Sequence, residues 1–393
     1  MAQCRGERMK QRLVIVGNSG CRRVAFWNAA ALRCGWEANL VTYSDLLTSR
    51  TRLCAHLSPD AVVRIESAAE NWETMKLLLK HGVAPACAEG YAALHEGEIT
   101  RLEYQRGWII KPRQLYLGFS RLVQELTHQL ERSRAMSFND GNDIALFFDK
   151  PRCQDRLAKA RVSVPVSFGP ATDYAVVRAH LRATGRLMVK LAHGSGAAGC
   201  IALHSARGRV RALTTVAEAV VSGQSRLYCS KRIRPLLDEL EIAALVNRLC
   251  SERVQVEEWL PKARWQGRNF DLRVVTIGGV PRHTLARVAG SPFTNLTLGN
   301  QRGDLGAIIK RLGPNAWSEL RDTCARVAAE FPRSFTLGID VLVRADFRRH
   351  AVLEINAFGE LLLNQLDLGE DTYTAALSAW ERRKLPERKA AAS

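Results

Sequence analysis

Two apolar runs late in the chain have the composition typical of β-strands. Residues 336–343 and 351–356 are rich in β-branched and aliphatic side chains, and a charged segment, residues 344–350, lies between them. This arrangement predicts two antiparallel strands joined by a turn. A hairpin centred on Phe347 fixes which residues face each other across the two strands.

In that register, three oxygen-bearing side chains come together. Asp340 lies opposite Glu354, and Asn356 projects from the same side of its strand as Glu354. Like charges directly opposite one another destabilise a sheet, and apolar neighbours increase the cost. A hard cation removes the repulsion, and Mg²⁺ commonly takes one or two carboxylates together with substrate phosphates. The pattern predicts a Mg²⁺-nucleotide site, and the alternative is an edge hairpin with solvated acids.

The first third of the chain alternates short apolar runs with helical periodicity, which is typical of an open α/β sheet. Strands are predicted at residues 12–16, 39–43 and 61–65, and a helix at 72–79. The first strand ends in Gly17-Asn18-Ser19-Gly20, which is not the G-x-G-x-x-G fingerprint, so NAD is not predicted. The amides of this turn either face a ligand or form a plain tight turn.

A small-residue loop lies between two predicted strands in the middle of the chain. Residues 187–191 and 200–203 are the strands, and residues 193–199 form a loop whose amides can wrap around an anion. A simple glycine turn is the alternative. Lys190 lies near the end of an apolar strand, where it needs an anionic partner or a route to water.

Two further strands carry polar groups that suit a nucleotide. Residues 254–261 contain Glu257, and backbone groups around Trp259 and Leu260 could pair with the edge of adenine. In the next strand, residues 269–277, strand alternation places Asp271 and Arg273 on one face.

The chain is expected to fold as three α/β units. They are a small Rossmann-like α/β domain with a connecting helix (residues 1–135), a unit with the glycine-rich loop (136–255) and a unit with the acidic hairpin (256–385), followed by a loose tail (386–393). The polar segment 101–135 carries scattered aromatic residues and is expected to border a substrate cleft.

Composition narrows the function further. The 393 residues carry a net charge of +18 that is spread along the chain, which favours acidic ligands such as nucleotide phosphates and carboxylates over nucleic acid. No apolar run is long enough for a membrane helix. The ten cysteines are scattered without C-x-x-C spacing, so we expect a reduced, cytoplasmic protein.

Residues 149–364 resemble the ATP-grasp superfamily, particularly the carboxylate–amine ligases that add glutamate and the glutathione synthetases. Residues 292–300 are similar to a bacterial ATP-grasp group. The resemblance rests on several short stretches in the family's order: Asp149-Lys150, Val189-Lys190 with the glycine-rich loop, Glu257-Glu258-Trp259-Leu260, Phe270-Asp271-Leu272-Arg273, Arg287, Asn295 with Gly299, Gly338-Ile339-Asp340 and Leu353-Glu354-Ile355-Asn356.

The resemblance implies a role for each matching residue. Phosphates would be held by Lys150 and Lys190 under a lid formed by Gly194, Ser195, Gly196 and Gly199, and the rest of the nucleotide site would include Glu257, Glu258, Trp259, Leu260, Asp271 and Asn295. Metal would be bound by Asp340, Glu354 and Asn356, with Arg273 and Arg287 as catalytic residues. Ala197 stands where related loops often have another glycine, which leaves the geometry of the lid open.

The implied activity is an ATP-dependent ligation through an acyl phosphate. The cofactors would be ATP and Mg²⁺, with two ions expected and Mn²⁺ as a substitute. The substrate would be a small molecule, amino acid or peptide that supplies a carboxylate and an amine, and a homo-oligomer stays open. The alternatives are a non-ligase ATP-grasp phosphotransferase and a catalytically silent nucleotide-binding protein. A structural role is expected for His283 and His350 in preference to general-base catalysis.

Overall fold

A computed structural model describes residues 11–69, 71–358, 362 and 364–390, with no description of side chains in 384–390. Its first sheet is parallel, with strand order 2-1-3-4. The strands are β1 (Arg12–Gly17), β2 (Glu37–Thr42), β3 (Ala61–Ile65) and β4 (Met136–Ser137). The three strands predicted in this part of the chain are confirmed, with shifts of up to two residues at their ends.

The second sheet is antiparallel, with strand order 5-10-6-7-8-9. Its strands are β5 (Ser167–Gly169), β6 (Arg186–Leu191), β7 (Cys200–Ala206), β8 (Arg209–Val221), β9 (Gln224–Leu236) and β10 (Val254–Glu258). The long hairpin of β8 and β9 was not predicted from the sequence. Strand β10 runs across the expected boundary at residue 255, and the domain limits remain predictions.

The third sheet is also antiparallel and contains the acidic hairpin. Its strands are β11 (Arg264–Trp265), β12 (Arg268–Ile277), β13 (Val280–Ala289), β14 (Gln301–Arg302), β15 (Thr336–Val343) and β16 (His350–Asn356). Strands β15 and β16 pair with Asp340 opposite Glu354, which confirms the predicted register. The register then shifts between Asp340 and Val341, so the second half of the hairpin is offset.

Helices cover the sheets. Six of the described helices begin at an acidic or amide side chain that accepts from a first-turn amide: Asn71, Asp140, Asp149, Asp173, Asp238 and Asp304. The helices are α1 (Arg22–Arg33), α2 (Tyr43–Leu47), α3 (Trp72–His81), α4 (Val83–Ala88), α5 (Glu96–Thr100), α6 (Pro112–Glu131), α7 (Gly141–Phe147), α8 (Lys150–Lys159), α9 (Tyr174–Thr184), α10 (Glu239–Cys250), α11 (Leu305–Leu312), α12 (Pro314–Ala329) and α13 (Thr372–Ala390). Two short 3-10 helices span Leu53–His56 and Leu296–Leu298. Helix α13 reaches into the segment expected to be a loose tail, and residues 391–393 lie outside the described part.

Strand alternation explains why the first sheet is covered on both faces. Leu13 and Ile15 of β1 belong to one apolar cluster with side chains of α1 and α13. Val14 and Val16 belong to another cluster with side chains of α6. A parallel sheet needs such burial on both faces, so the N-terminal and C-terminal helices lie against one sheet.

A buried arginine joins the first sheet to the third. Arg64 of β3 forms an ion pair with Glu66 at 2.8 Å and donates to the hydroxyl of Thr336 at 2.7 Å. The side chains of Arg64 and Glu66 are almost completely buried. The first sheet and the start of β15 are therefore held together by a polar network inside the protein.

The α/β class is confirmed, with one parallel and two antiparallel sheets. None of the described helices combines the length and apolar character needed to cross a bilayer. The nine cysteines in the described residues are free thiols, so this part of the chain contains no disulfide. In the first turn, the Asn18 side chain is buried and donates to the Ala68 carbonyl at 3.0 Å.

Candidate functional site

A cleft lies between the second and third sheets. Most of the residues singled out in the sequence line it: Lys150, Lys190, Gly194, Gly196, Glu257, Glu258, Trp259, Leu260, Asp271, Arg287, Asn295, Asp340 and Glu354. These residues come from widely separated parts of the chain. The cleft therefore brings together side chains that the sequence connected only through the order of short motifs along the chain.

The two hairpin carboxylates have different surroundings. Asp340 is buried and accepts from Arg273 Nη2 and Arg287 Nη2, both at 3.0 Å, and also from Arg273 Nε. Burial raises the pKa of Asp340, but the two guanidinium groups outweigh it and hold the pKa below its ordinary value. Glu354 is partly exposed, and its nearest cation is Lys150, with Nζ 4.0 Å from Oε2. Asp340 is therefore a fixed anion, and Glu354 is the more accessible one.

A chain of alternating charges continues beneath the cleft. Arg287 Nε donates to Asp271 at 2.8 Å, and Lys262 Nζ lies 2.8 Å from the other oxygen of the same carboxylate. Lys262 Nζ also lies 2.5 Å from the hydroxyl of Thr294. Burial opposes ionisation of Asp271, but Arg287 and Lys262 hold its pKa well below its ordinary value. Burial lowers the pKa of Lys262, against the opposing effect of Asp271.

Lys262 is a cleft residue that the sequence analysis missed. It follows Pro261 after the end of β10 and carries no strand or helix periodicity that would mark it. A lysine in a loop is usually a solvated side chain, so its position in sequence gave no signal. Its side chain is nearly buried because Asp271 and Thr294 hold it in the cleft wall.

Two further lysines lie near the glycine-rich loop. Lys150 Nζ donates to the backbone carbonyl of Gly194. Lys190 forms an ion pair with Glu257 across neighbouring strands β6 and β10. Burial lowers the pKa of Lys190, but Glu257 more than compensates and the pKa lies above its ordinary value. Both lysines are therefore placed as cations at the cleft, next to backbone that can approach an anion.

The loop between β6 and β7 lies over the cleft. The Thr297 hydroxyl donates to the Gly196 carbonyl of this loop at 3.1 Å, and both Ala197 and Gly199 have a positive φ, 63° and 68°. A Cβ on Gly199 would lie 2.3 Å from Cδ1 of the buried Leu191. Gly199 is required by both its conformation and its neighbour, whereas Ala197 adopts a left-handed conformation that costs an alanine free energy.

Apolar side chains line both sides of the cleft. Met188 and Cys200 belong to a cluster on the second sheet with Phe293, and Leu342 and Leu353 belong to a cluster on the third. Such opposed apolar faces suit a planar ring. Burial raises the pKa of Cys200 to about 12, so this thiol stays protonated and is no nucleophile.

Solved structures with this arrangement identify the fold. The ligase PsnB, complexed with a phosphomimetic variant of its minimal precursor, Mg and ADP, aligns with 93% of this chain and 96% of its own at a TM-score of 0.54 and 16% identity. The chain has the ATP-grasp fold. The macrocyclase MdnC from Microcystis aeruginosa MRC, bound to precursor peptide MdnA, is 14% identical over 93% of this chain and 98% of its own, at a TM-score of 0.52.

Small-molecule enzymes share the ATP-grasp fold with this chain as well. The D-alanine–D-alanine ligase from Bacillus anthracis, complexed with ATP, is 11% identical over 97% of this chain and 98% of its own, at a TM-score of 0.50. No family model matches the sequence, and no curated protein matches it either. The similarity is therefore in the fold.

Four of the sequence-predicted residues do not line this ATP-grasp cleft. Arg273 lies behind Asp340, Ser195 lines a neighbouring cavity and Gly199 packs on Leu191. Asn356 donates weakly to the Gly338 carbonyl, at 3.4 Å. Two histidines have structural partners elsewhere: His283 contacts the Glu370 carbonyl and His350 the Thr323 hydroxyl, each at 2.8 Å.

The donor set at the hairpin fits a magnesium ion that is shared with phosphates. Asp340 and Glu354 lie opposite each other, and an ionised carboxylate offers about four lone-pair sites, more than the three arginine donors at Asp340 use. Within the described ranges, no group of three or more His, Cys, Asp or Glu side chains is arranged to hold a metal alone. Two carboxylates match Mg²⁺, which relies on substrate phosphates and water for its other ligands.

Proposed function

We propose that the protein is an ATP- and Mg²⁺-dependent ligase that joins a carboxylate to an amine. In this reaction, the γ-phosphoryl group of ATP is transferred to an oxygen of the acid. The amine then attacks the carbonyl carbon of the acyl phosphate, and phosphate leaves with the C–O bond electrons. An amide, ADP and phosphate are the products.

The observation that carries this proposal is the convergence of cations and carboxylates in one cleft. Lys150 and Lys190 lie at the glycine-rich loop, and Asp340 and Glu354 lie on the facing hairpin. A triphosphate needs cations from the protein, and its metal needs oxygen ligands. The apolar walls offer a place for adenine. The same cleft thus has complementary groups for each part of Mg·ATP.

The chain's own residues would act by positioning and charge compensation. Lys190 is held rigidly by Glu257, so its ammonium group can meet phosphate oxygens without losing further side-chain freedom. Arg287 is fixed by Asp271 and Asp340 and faces the cleft, where it can stabilise charge on the transferred group. Asp340 and Glu354 would hold Mg²⁺, with Asn356 nearby. The bound Mg²⁺ would neutralise and orient the triphosphate.

The substrates of the structural neighbours support a proposal for the substrate of this protein. PsnB and MdnC are complexed with precursor peptides, and D-alanine–D-alanine ligase acts on a small amino acid. We extend the proposal to an amino acid or peptide as the source of the acid or amine. Two ions with Mn²⁺ as a substitute, and a cytoplasmic enzyme, belong to the same proposal.

An assay of ADP formation against a matrix of amino acids and short peptides tests the proposal. The expected result is ADP release that requires both an acid and an amine. The double variant Asp340→Asn, Glu354→Gln should lose the activity, whereas Asp346→Asn, an exposed carboxylate in the turn of the same hairpin, should keep it. ADP release with an acceptor but no amine requirement would indicate a phosphotransferase and contradict the ligase. Tight Mg·ATP binding without turnover on any pair would indicate a silent nucleotide-binding protein.

A further inference from the structure

A second cavity, of about 560 Å³, borders the glycine-rich loop next to the nucleotide cleft. Its wall includes three phenylalanines, Phe119, Phe148 and Phe358, whose ring centroids are 5.5–6.4 Å apart. Tyr116 and Leu78 add further apolar surface. These side chains come from the first third of the chain, from the end of α7 and from the segment after β16. The wall of the cavity is therefore mostly apolar and rich in aromatic side chains.

One polar ring lies in this wall. His193 is buried, and its Nε2 lies 2.6 Å from Arg113 Nη1, which always donates. Arg113 is itself fixed by a bidentate ion pair with Glu89, at 2.5–2.8 Å. Burial, and then the positive charge of Arg113, lowers the pKa of His193 well below its ordinary value, so the ring is neutral. The ring proton of His193 is therefore on Nδ1.

This N–H group is not satisfied by the protein. His193 Nδ1 is buried and has no hydrogen-bond partner among the residues that the structure describes. A buried donor without an acceptor costs free energy that a ligand oxygen would recover. The Ser195 side chain, which is exposed and lines the same cavity, adds a second polar group. The cavity thus combines an apolar wall with unsatisfied donor capacity.

Charge near the ring favours an anionic acceptor. Lys150 and Arg253, in addition to Arg113, act on His193 as positive charges. The negative partners of these cations are Glu89, Asp149 and Glu354, and Asp149 lies 3.8 Å from both His193 Nε2 and Arg253. A carboxylate oxygen at Nδ1 would meet a donor, and the three cations that act on His193 would favour its charge.

The cavity also lies toward the end of the nucleotide cleft that has the carboxylates. His193 and Ser195 line the cavity, and the intervening Gly194 lines the cleft and receives the Lys150 contact. Phe358 follows Asn356 by two residues. An acid held here would therefore be close to Lys150 and the phosphate end of the cleft.

We propose that this cavity is the subsite for the acid substrate, and that it selects a carboxylic acid with a large apolar or aromatic side chain whose oxygen pairs with His193 Nδ1. Because the ring is fully buried, this pairing requires a shift of the glycine-rich loop, whose glycines permit it. The subsite rests on the ligase function proposed above, and it adds a substrate class to that function.

Isothermal titration of the full chain without nucleotide tests the subsite directly. N-acetylphenylalanine carries both an aromatic ring and a carboxylate, N-acetylglycine has the carboxylate without the ring, and phenethylamine has the ring without an acceptor oxygen. N-acetylphenylalanine is expected to bind at least about tenfold more tightly than either of the others, since each lacks one of the two features. Binding of ADP with Mg²⁺ is measured in parallel on the same protein.

Two variants locate the binding. Ala69→Phe, at an exposed residue that lines the cavity, should fill it and reduce affinity for N-acetylphenylalanine by more than about tenfold while ADP binding stays unchanged. Ala55→Phe, at an exposed alanine of the same sheet unit outside the cavity, is the matched control. His193→Phe should reduce the affinity for N-acetylphenylalanine toward that for phenethylamine.

Equal affinity for N-acetylphenylalanine and N-acetylglycine, no detectable binding of either, or unchanged affinity in Ala69→Phe would overturn the subsite. Because these probes are titrated without nucleotide, the result is independent of ATP turnover. A failure to bind ADP with normal binding of N-acetylphenylalanine would instead contradict the ligase function.

Discussion

At the scale of single residues, the cleft depends on charges that are buried with their partners. Asp340 and Asp271 are both nearly inaccessible, and each contacts two cationic side chains. Glu354, on the facing strand, is partly exposed, and Lys150 Nζ lies 4.0 Å from its Oε2. The sequence predicted that Asp340 and Glu354 face each other. It did not predict that arginines enclose Asp340, because this depends on the pairing of β12 with β13 and β15, which no single segment of the sequence shows.

The difference in burial predicts a difference between two conservative substitutions. Asp340→Asn leaves two buried guanidinium groups without their shared anion and should lower the free energy of unfolding by roughly 2–4 kcal/mol. Glu354→Gln should change stability by less than about 1 kcal/mol, because the carboxylate is partly solvated. Both should reduce ATP turnover. Urea unfolding followed by circular dichroism measures the first effect, and equal losses of stability would contradict the assignment of Asp340 as the enclosed charge.

The same charges predict how stability responds to acid. The pKa values of Asp271 and Asp340 are lowered in the folded state, so the unfolded chain binds more protons at low pH. Their contribution is complete above the unfolded value of about 4 and is lost as pH falls toward the folded values. The free energy of unfolding should therefore decrease below about pH 4–5.

Urea titrations between about pH 3 and 7 would follow this loss. Asp271→Asn should reduce the stability at neutral pH and flatten the acid dependence. A variant whose stability falls with the same slope as the natural protein would show that other carboxylates cause the acid sensitivity.

At the scale of elements, the glycine-rich loop contains one position that requires glycine and another that tolerates alanine. Ala197 and Gly199 both have positive φ values, but only Gly199 also faces a buried side chain at its missing Cβ. The sequence identified the loop from its small residues. It could not predict which residue needs to be glycine, because that depends on Leu191 in the preceding strand.

Two substitutions in the loop should have effects of different size. Gly199→Ala should lower the free energy of unfolding by about 2–3 kcal/mol, because it adds both backbone strain and a clash with Leu191. Ala197→Gly should change stability by no more than about 1 kcal/mol, because relief of the left-handed strain offsets the greater freedom of the unfolded chain. Urea unfolding and ADP release together would test both, and a fully active, fully stable Gly199→Ala protein would contradict this description of the loop.

Other elements could not be found from the sequence. The strands β8 and β9 carry several arginines and lie partly exposed, so they lack the apolar run that identified β6 and β15. They form because each pairs with the other in a long hairpin and β8 pairs with β7. Segments with apolar alternation or a glycine turn were predicted correctly, whereas an element stabilised mainly by its neighbours was not.

At the scale of the whole molecule, Arg64 connects the first sheet with the acidic hairpin. It pairs with Glu66, whose carboxylate also accepts from Trp27, and it donates to Thr336. Arg64→Met should leave the buried Glu66 carboxylate without its cation and lower the free energy of unfolding by about 3–5 kcal/mol.

The matched control is Arg50→Met, since Arg50 is exposed and lies 3.8 Å from Asp45. It should change stability by less than about 0.5 kcal/mol. Equal effects of the two substitutions in urea unfolding would show that Arg64 does not join the two sheets energetically.

The short segment before α6, residues 107–109, lies along the edge of the second sheet. Strand β9 is the last strand of its sheet, and part of its free edge is covered by backbone hydrogen bonds between Ile109 and Leu227 at 2.8 Å and between Cys229 and Gly107 at 2.7 Å. Arg226 stacks over Trp108 on the same edge, at 4.2 Å from the ring centroid. An uncovered strand end of this kind would recruit a strand from another copy. Residues 107–109 thus occupy part of this strand edge, and shortening the segment would expose backbone groups that could pair with another strand.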